Sequence, residues 1–154
     1  MQTGHRFQAT DLHQFVKTLF THMGSSPTEA SLIADHLIAA NLAGHDSHGV
    51  GMIPSYVRSH AQGYLQLNRH ASVMKDAGAV VTLDGNGGFG QVVAHEAMQI
   101  GIEKAKQHGL AAVALRNAHH IGRIGYWAEQ CAAAGMISIH FVNVVGNVMV
   151  APFR

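Results

Sequence analysis

The chain has 154 residues, 47% of them hydrophobic and 12% charged, with 17 glycines, three prolines and a formal charge of +1. That is enough apolar material for a buried core and too little charge for a disordered chain, and the length suits one domain or two small ones. No Lys/Arg run is present, which argues against a nucleic-acid partner, while the single cysteine, Cys131, excludes an intrachain disulfide and makes a reducing, cytoplasmic setting the default expectation.

In chain order, Met1 to Asp11 lack the apolar core of a secretion signal. Leu12, Phe15, Val16, Leu19, Phe20 and Met23 then recur at helical spacing, with Thr10 placed to cap the start and Gly24 the end. Ser26-Pro27-Thr28-Glu29 reads as a capping box with proline at the first helical position. Ala30, Ile33, Ala34, Leu37, Ile38 and Asn41 trace one face of the helix it opens, and His36 lies beside that face, half-buried by expectation. After the polar break His45-Asp46-Ser47-His48-Gly49, a third helix carries Ile53, Tyr56 and Val57, with Pro54 in its first turn and an end near Gly63.

The pattern then changes. Ala71 to Lys75 and Ala79 to Leu83 read as strands, Gln91 to His108 as a helix stopped by Gly109, and Leu110 to Leu115 as a strand. Tyr126 to Ala134 reads as a helix and Met136 to Val142 as a further strand. The longest apolar stretch, Met136 to Phe153, is broken by Ser138, His140, Asn143 and Pro152 and does not read as a membrane span. The methionines, Met74 and Met149 among them, read as core filler. The chain stops at Pro152-Phe153-Arg154, so the sheet is expected to be incomplete, with an unpaired edge. The fold class is α+β: a helical module over residues 1–68, then an incomplete α/β cofactor-binding segment over 69–154.

Three motifs carry chemistry. His45-Asp46-Ser47-His48-Gly49 offers a histidine whose ordinary pKa lies near working pH, as transfer of a hydroxyl proton requires, with the Ser47 hydroxyl beside it to orient the ring. It also reads as a plain polar turn, and the His45/His48 spacing as half a metal site without further ligands. Gly85-x-Gly87-x-x-Gly90 matches the dinucleotide fingerprint in form. It lacks the acidic residue at the end of the next strand, where Arg116 and Asn117 stand, so a glycine-rich strand-to-helix turn is the preferred reading. Asn117 to Tyr126 is a polar, glycine-containing loop after a buried strand, the kind of place where ligands gather in α/β arrangements. There Arg123 could meet a phosphate; the alternative is a loop whose His119 and His120 cap local backbone. Most of the other histidines sit singly and read as surface or capping residues, and Tyr126-Trp127 as packing.

Taken together, His45 to Gly49, the Tyr56-Val57-Arg58 helix and the His119-His120-x-Gly122 loop resemble the type-2 malate/L-lactate dehydrogenase family, which also holds ureidoglycolate and diketogulonate reductases. Within it, the chain is most similar to the hydroxycarboxylate dehydrogenase branch, as an N-terminal portion. The resemblance covers essentially the whole chain. It implies an oxidoreductase moving hydride between NAD, with NADP also open, and a small-molecule 2-hydroxyacid or 2-oxoacid, working as a homodimer when complete. It implies His48 as proton donor/acceptor with Ser47 as relay, Tyr56 and Met52 at the substrate, and His48, His120, Gly122, Arg123 and Ile124 at the cofactor, with no metal. It further implies a cofactor domain that is not a Rossmann fold. Met52 departs from the arginine that several relatives carry there to grip a carboxylate. The alternative is an inactive, truncated chain acting at most as a binding module; a metal-dependent hydrolase built on the histidines is a third class.

Overall fold

The computed structural model describes residues 6–144. His5, Met149 and the terminal stretch to Arg154 lie outside them. Helix α1 (Ala9–His22) turns Val16 and Phe20 inward and is ended by Gly24 at φ +106°. Gln8 stands at its N-cap without a side-chain hydrogen bond, and Thr10 lies inside the helix, so the expected Thr10 cap is displaced.

Helix α2 (Pro27–Leu42) is capped as expected by Ser26, whose hydroxyl accepts the Glu29 amide at 3.2 Å. The return half of the box is rerouted. The Glu29 carboxylate instead accepts the Ser25 hydroxyl (2.6 Å) and the Asn68 amide (2.8 Å), while Asn68 Oδ1 takes the Ser26 amide. Asn68, at φ +57°, thereby ties the end of the helical segment to the start of α2. Burial pushes the Glu29 carboxyl above its ordinary range.

Two 3₁₀ turns, Asp46–His48 and Val50–Met52, lead into helix α3 (Ile53–Ala61), with Pro54 in its first turn, where a missing amide costs nothing. Val16, Phe20, Ile33, Leu37, Tyr56 and Leu65 form the first core, joined by Phe89 and Val92 from beyond residue 68. Phe20, Tyr56 and Phe89 meet there as edge-on or tilted aromatic pairs, with centroids 5.4–6.5 Å apart.

The sheet runs in the order β1 (Ser72–Ala77), β2 (Val80–Asp84), β3 (Ala112–Arg116). β1 and β2 form an antiparallel hairpin, turning at Gly78 (φ +69°). β2 and β3 are parallel, with Val81 opposite Val113 and Leu83 opposite Leu115. Parallel neighbours need a crossover, which helix α4 (Gly90–His108) supplies. Ala97, Met98 and Ile100 of that helix pack on Val81, Leu83, Val113 and Leu115 as a second core. Helix α5 (Ile124–Ala133) follows and buries Trp127 and Cys131.

Several expectations shift. β1 and β3 lie one to two residues later than read, and α5 starts two residues earlier. Met74 is not core filler: it lies at a bulge between Val73 and Lys75, 54% exposed. The stretch Met136 to Val142 is not a strand here; it pairs with none of the three strands among the described residues, and without a ladder partner an alternating segment is not a strand. Ile137, Ile139 and Phe141 are accordingly exposed. No helix among the described residues is long and apolar enough to cross a membrane.

Candidate active site

The parallel pair β2/β3 places the loops that follow it side by side, at the carboxyl ends of the strands. Asp84 locks them together. Its carboxylate accepts the Asn86 amide (2.8 Å), the Asn117 side-chain amide (2.9 Å) and Arg116 Nε (3.0 Å), and these donors hold its pKa below the ordinary value. The first two glycine amides of the dinucleotide fingerprint are already committed. Gly85 and Gly87 donate to the carbonyls of Arg116 and Asn117, both at 2.8 Å. At Gly90 a Cβ would land on the His120 carbonyl. Gly85 and Gly90 thus serve close packing against the 117–121 loop and Gly87 a left-handed turn at φ +68°, so the segment is a glycine-rich strand-to-helix turn.

This packing brings the loop after β3 onto the turn after α2. The turn is stapled by Asn41, which donates to the Asp46 carboxylate (2.6 Å) and accepts the Val50 amide (2.8 Å). A Cβ at Gly49 would strike that Asn41 amide group, which explains the glycine there. His48, partly buried at the end of the first 3₁₀ turn, has its Nδ1 2.9 Å from the Ser47 hydroxyl. Its ring stacks on His120, with centroids 5.4 Å apart and planes 27° from parallel. Desolvation, then the nearby His45, lowers the His48 pKa. Both effects favour the neutral ring, the form that accepts a proton.

Behind His48 the site is built in layers. His120 Nδ1 lies 2.9 Å from the hydroxyl of Tyr56, and that hydroxyl accepts the Gln91 side-chain amide at 2.7 Å. Burial pushes Tyr56 up to about 12; burial, then the neighbouring His48 and His119, pushes His120 down to about 4. Gly122 and Arg123 are held from below by His36. Its Nε2 accepts the Arg123 amide (2.8 Å), its ring stacks on Trp127 at 5.0 Å, and Trp127 Nε1 donates to the Ile121 carbonyl (3.0 Å). Gly122 sits at φ +72° directly against His36 Nε2.

The structure brings Ser47, His48 and His120 together. Tyr56 is fully buried and reaches the site through His120. Met52 packs against the helical core. Arg123 Nη2 pairs with Glu129 at 2.6 Å while its Nε is buried without a partner among the described residues, and Ile124 opens α5. Sequence reasoning missed Gln91 and underrated His36, which is 1% exposed. A glutamine opening an otherwise apolar helical turn, and a histidine beside an apolar helix face, were the available signals. No group of three or more metal-ligating side chains occurs among the described residues.

The family model described as "Malate/L-lactate dehydrogenase" matches residues 7–154. The chain is 72% identical over all 154 residues to hydroxycarboxylate dehydrogenase B of Escherichia coli K12, spanning 43% of that relative. It is 38% identical over 147 residues to a malate dehydrogenase of Pyrococcus abyssi, covering 96% of this chain and 40% of the relative. The solved malate dehydrogenase of Pyrococcus horikoshii superposes with a TM-score of 0.85 at 33% identity, over 88% of this chain and 39% of that one. The chain therefore spans less than half the length of these relatives, and it belongs to the malate/L-lactate dehydrogenase family.

Proposed function

We propose that this chain carries the proton-transfer side of a nicotinamide-dependent 2-hydroxyacid dehydrogenase. The observation that carries the reading is the partly buried His48, in contact with Ser47 and stacked on His120 at the mouth of the 119–124 loop. In the direction of hydroxyacid oxidation, Nδ1–H donates to the Ser47 oxygen and leaves Nε2 as the base for the substrate hydroxyl proton. In reduction, the protonated ring returns that proton from Nε2 to the carbonyl oxygen while Ser47 keeps its contact. A lowered pKa favours the base form, and the partial exposure of the ring lets the proton exchange with solvent.

The residues fit a nicotinamide cofactor at one specific point. His120 Nε2 makes no hydrogen bond among the described residues and is not among the buried unpaired atoms, so a donor or acceptor is open beside His48. His48, His120, Gly122, Arg123 and Ile124 would hold the cofactor, which when bound supplies the hydride. The engaged Gly85 and Gly87 amides support a cofactor held by the 119–124 loop and not by a Rossmann-type turn. Arg116 and Arg123 are paired with Asp84 and Glu129, which favours NAD over a cofactor bearing a 2′-phosphate. In this reading residues 1–68 contribute the proton-transfer turn, residues 69–154 contribute the cofactor loop, and the longer protein is a homodimer. Tyr56 serves the substrate through His120, and Met52 gives the turn an apolar flank suited to a less polar acid.

A thermal melt with and without NADH tests this. A ligand that binds only the folded chain raises stability by about 2.7 kcal/mol at one hundred times Kd, an upward move of about 5–11 °C for this length. A cooperative transition that ignores saturating NADH contradicts the proposal.

A further inference from the structure

Gln91 is 1% exposed, in the first turn of α4, among Val92, Val93 and Ala94. Burying a long amide there costs solvation and rotamer freedom that the apolar neighbours do not return. Among the described residues its side chain makes the 2.7 Å contact from Nε2 to the Tyr56 oxygen, while its Oε1 is buried without a partner. That contact sets a direction. The phenol oxygen receives the Gln91 N–H, so its single proton goes to the next acceptor in line, His120 Nδ1 at 2.9 Å. An unprotonated imidazole nitrogen is the better acceptor of that pair, and a phenol the more acidic donor. With Nδ1 receiving, the neutral ring carries its own proton on Nε2, the nitrogen left open beside His48. Burial keeps both Tyr56 and His120 uncharged at pH 7.

We propose that Gln91 and Tyr56 are positioning residues that hold His120 in the Nε2–H tautomer, so that the site offers a fixed donor beside His48 to an oxygen of the ligand, either a carboxylate or a carboxamide oxygen. Only the identity of that acceptor rests on the dehydrogenase reading. The tautomer is a property of the chain alone. It acts on recognition by excluding ligand groups that are themselves donors at this point.

Nitrogen-15 spectra of the histidine rings of the 154-residue chain at pH 7 test it. The expected pattern for His120 is a pyridine-like Nδ1 and a pyrrole-like Nε2. A pyrrole-like Nδ1 in the unaltered chain overturns the proposal without any variant. Gln91→Glu gives the sharper arm. Once the pH is above the burial-raised pKa of that carboxyl, the carboxylate can only accept, so the phenol proton turns toward it and His120 switches to the Nδ1–H form as the pH rises. Tyr56→Phe leaves a mixture of the two forms. A tautomer unchanged in variants that still melt cooperatively overturns the proposal. Oxalate, which carries carboxylates and no carboxamide, and NADH then separate the acceptors: a downfield move of the Nε2 proton with oxalate marks a carboxylate, and with NADH a carboxamide. If the tautomer pattern holds and neither probe moves that proton, the acceptor assignment falls together with the dehydrogenase reading, and the positioning assignment is upheld.

Discussion

Gly122→Ala probes the support beneath the cofactor loop. Gly122 sits at φ +72°, and an added methyl would occupy the space of His36 Nε2, the atom that accepts the Arg123 amide. Three costs combine. A non-glycine residue in the left-handed region costs about 1–2 kcal/mol. Forcing a methyl into packed surroundings costs about 1–3 kcal/mol. Displacing His36 strands the Arg123 amide for about 1–3 kcal/mol more. The smaller entropy of the unfolded alanine chain returns about 0.4–1 kcal/mol. At the middle of each range the net loss is about 5 kcal/mol, a fall in Tm of about 10–20 °C at 2–4 °C per kcal/mol. Gly109→Ala is the control. It shares the backbone penalty at φ +80°, but its methyl meets nothing within 4 Å, so a fall of about 2–4 °C is expected. Paired calorimetric melts make the comparison. Equal effects of the two substitutions would refute the claim that His36 braces this loop.

Stability is expected to decline on acidification. His36 and His120 are held to about 4 against an ordinary 6.5, first by burial. Between those values the unfolded chain binds protons that the native chain does not, so stability falls as the pH drops from 6.5 toward 4 and is recovered above it. His48 and His119, also lowered, act in the same direction; Glu29, raised by burial, works against it near the carboxylate range. Urea midpoints at pH 7 and pH 4.5 measure the sum, and equal midpoints contradict the assignment. Phe20→Ala empties the meeting point of Tyr56 and Phe89 and should cost about 3–5 kcal/mol in urea unfolding with an unchanged slope; a loss below about 1 kcal/mol would show that the cluster is not the helical core. Asp84→Ala should speed hydrogen exchange at the Gly85 and Gly87 amides without touching those of α1, because the bridge between the two loops is lost while the helical core is not. Unchanged exchange at both glycines would remove Asp84 from that role.

Local signals told most about the helical part. Capping by Ser26, the turns at Gly24 and Gly63 and the inward face of α2 depend on residues close in sequence, and the chain displays them openly. The Met136 to Val142 alternation is a different case, since an alternating pattern describes a segment prepared to pair and says nothing about whether a neighbour is present. At the site, His48 and Ser47 are adjacent and so were visible together. Gln91, Tyr56 and His120 come from α4, α3 and the loop after β3. Their meeting depends on three-dimensional packing, which no spacing rule encodes. His36 is similar: its role depends on Gly122, 86 positions away, having no side chain.

The most direct test of the central claim is NADH oxidation in the presence of a panel of short 2-oxoacids, comparing the unaltered protein with His48→Gln. The account predicts turnover with at least one 2-oxoacid and a loss of about 10²–10⁴-fold in the variant. Turnover by the variant at the rate of the unaltered protein would contradict it, as would the absence of any 2-oxoacid that the unaltered protein reduces.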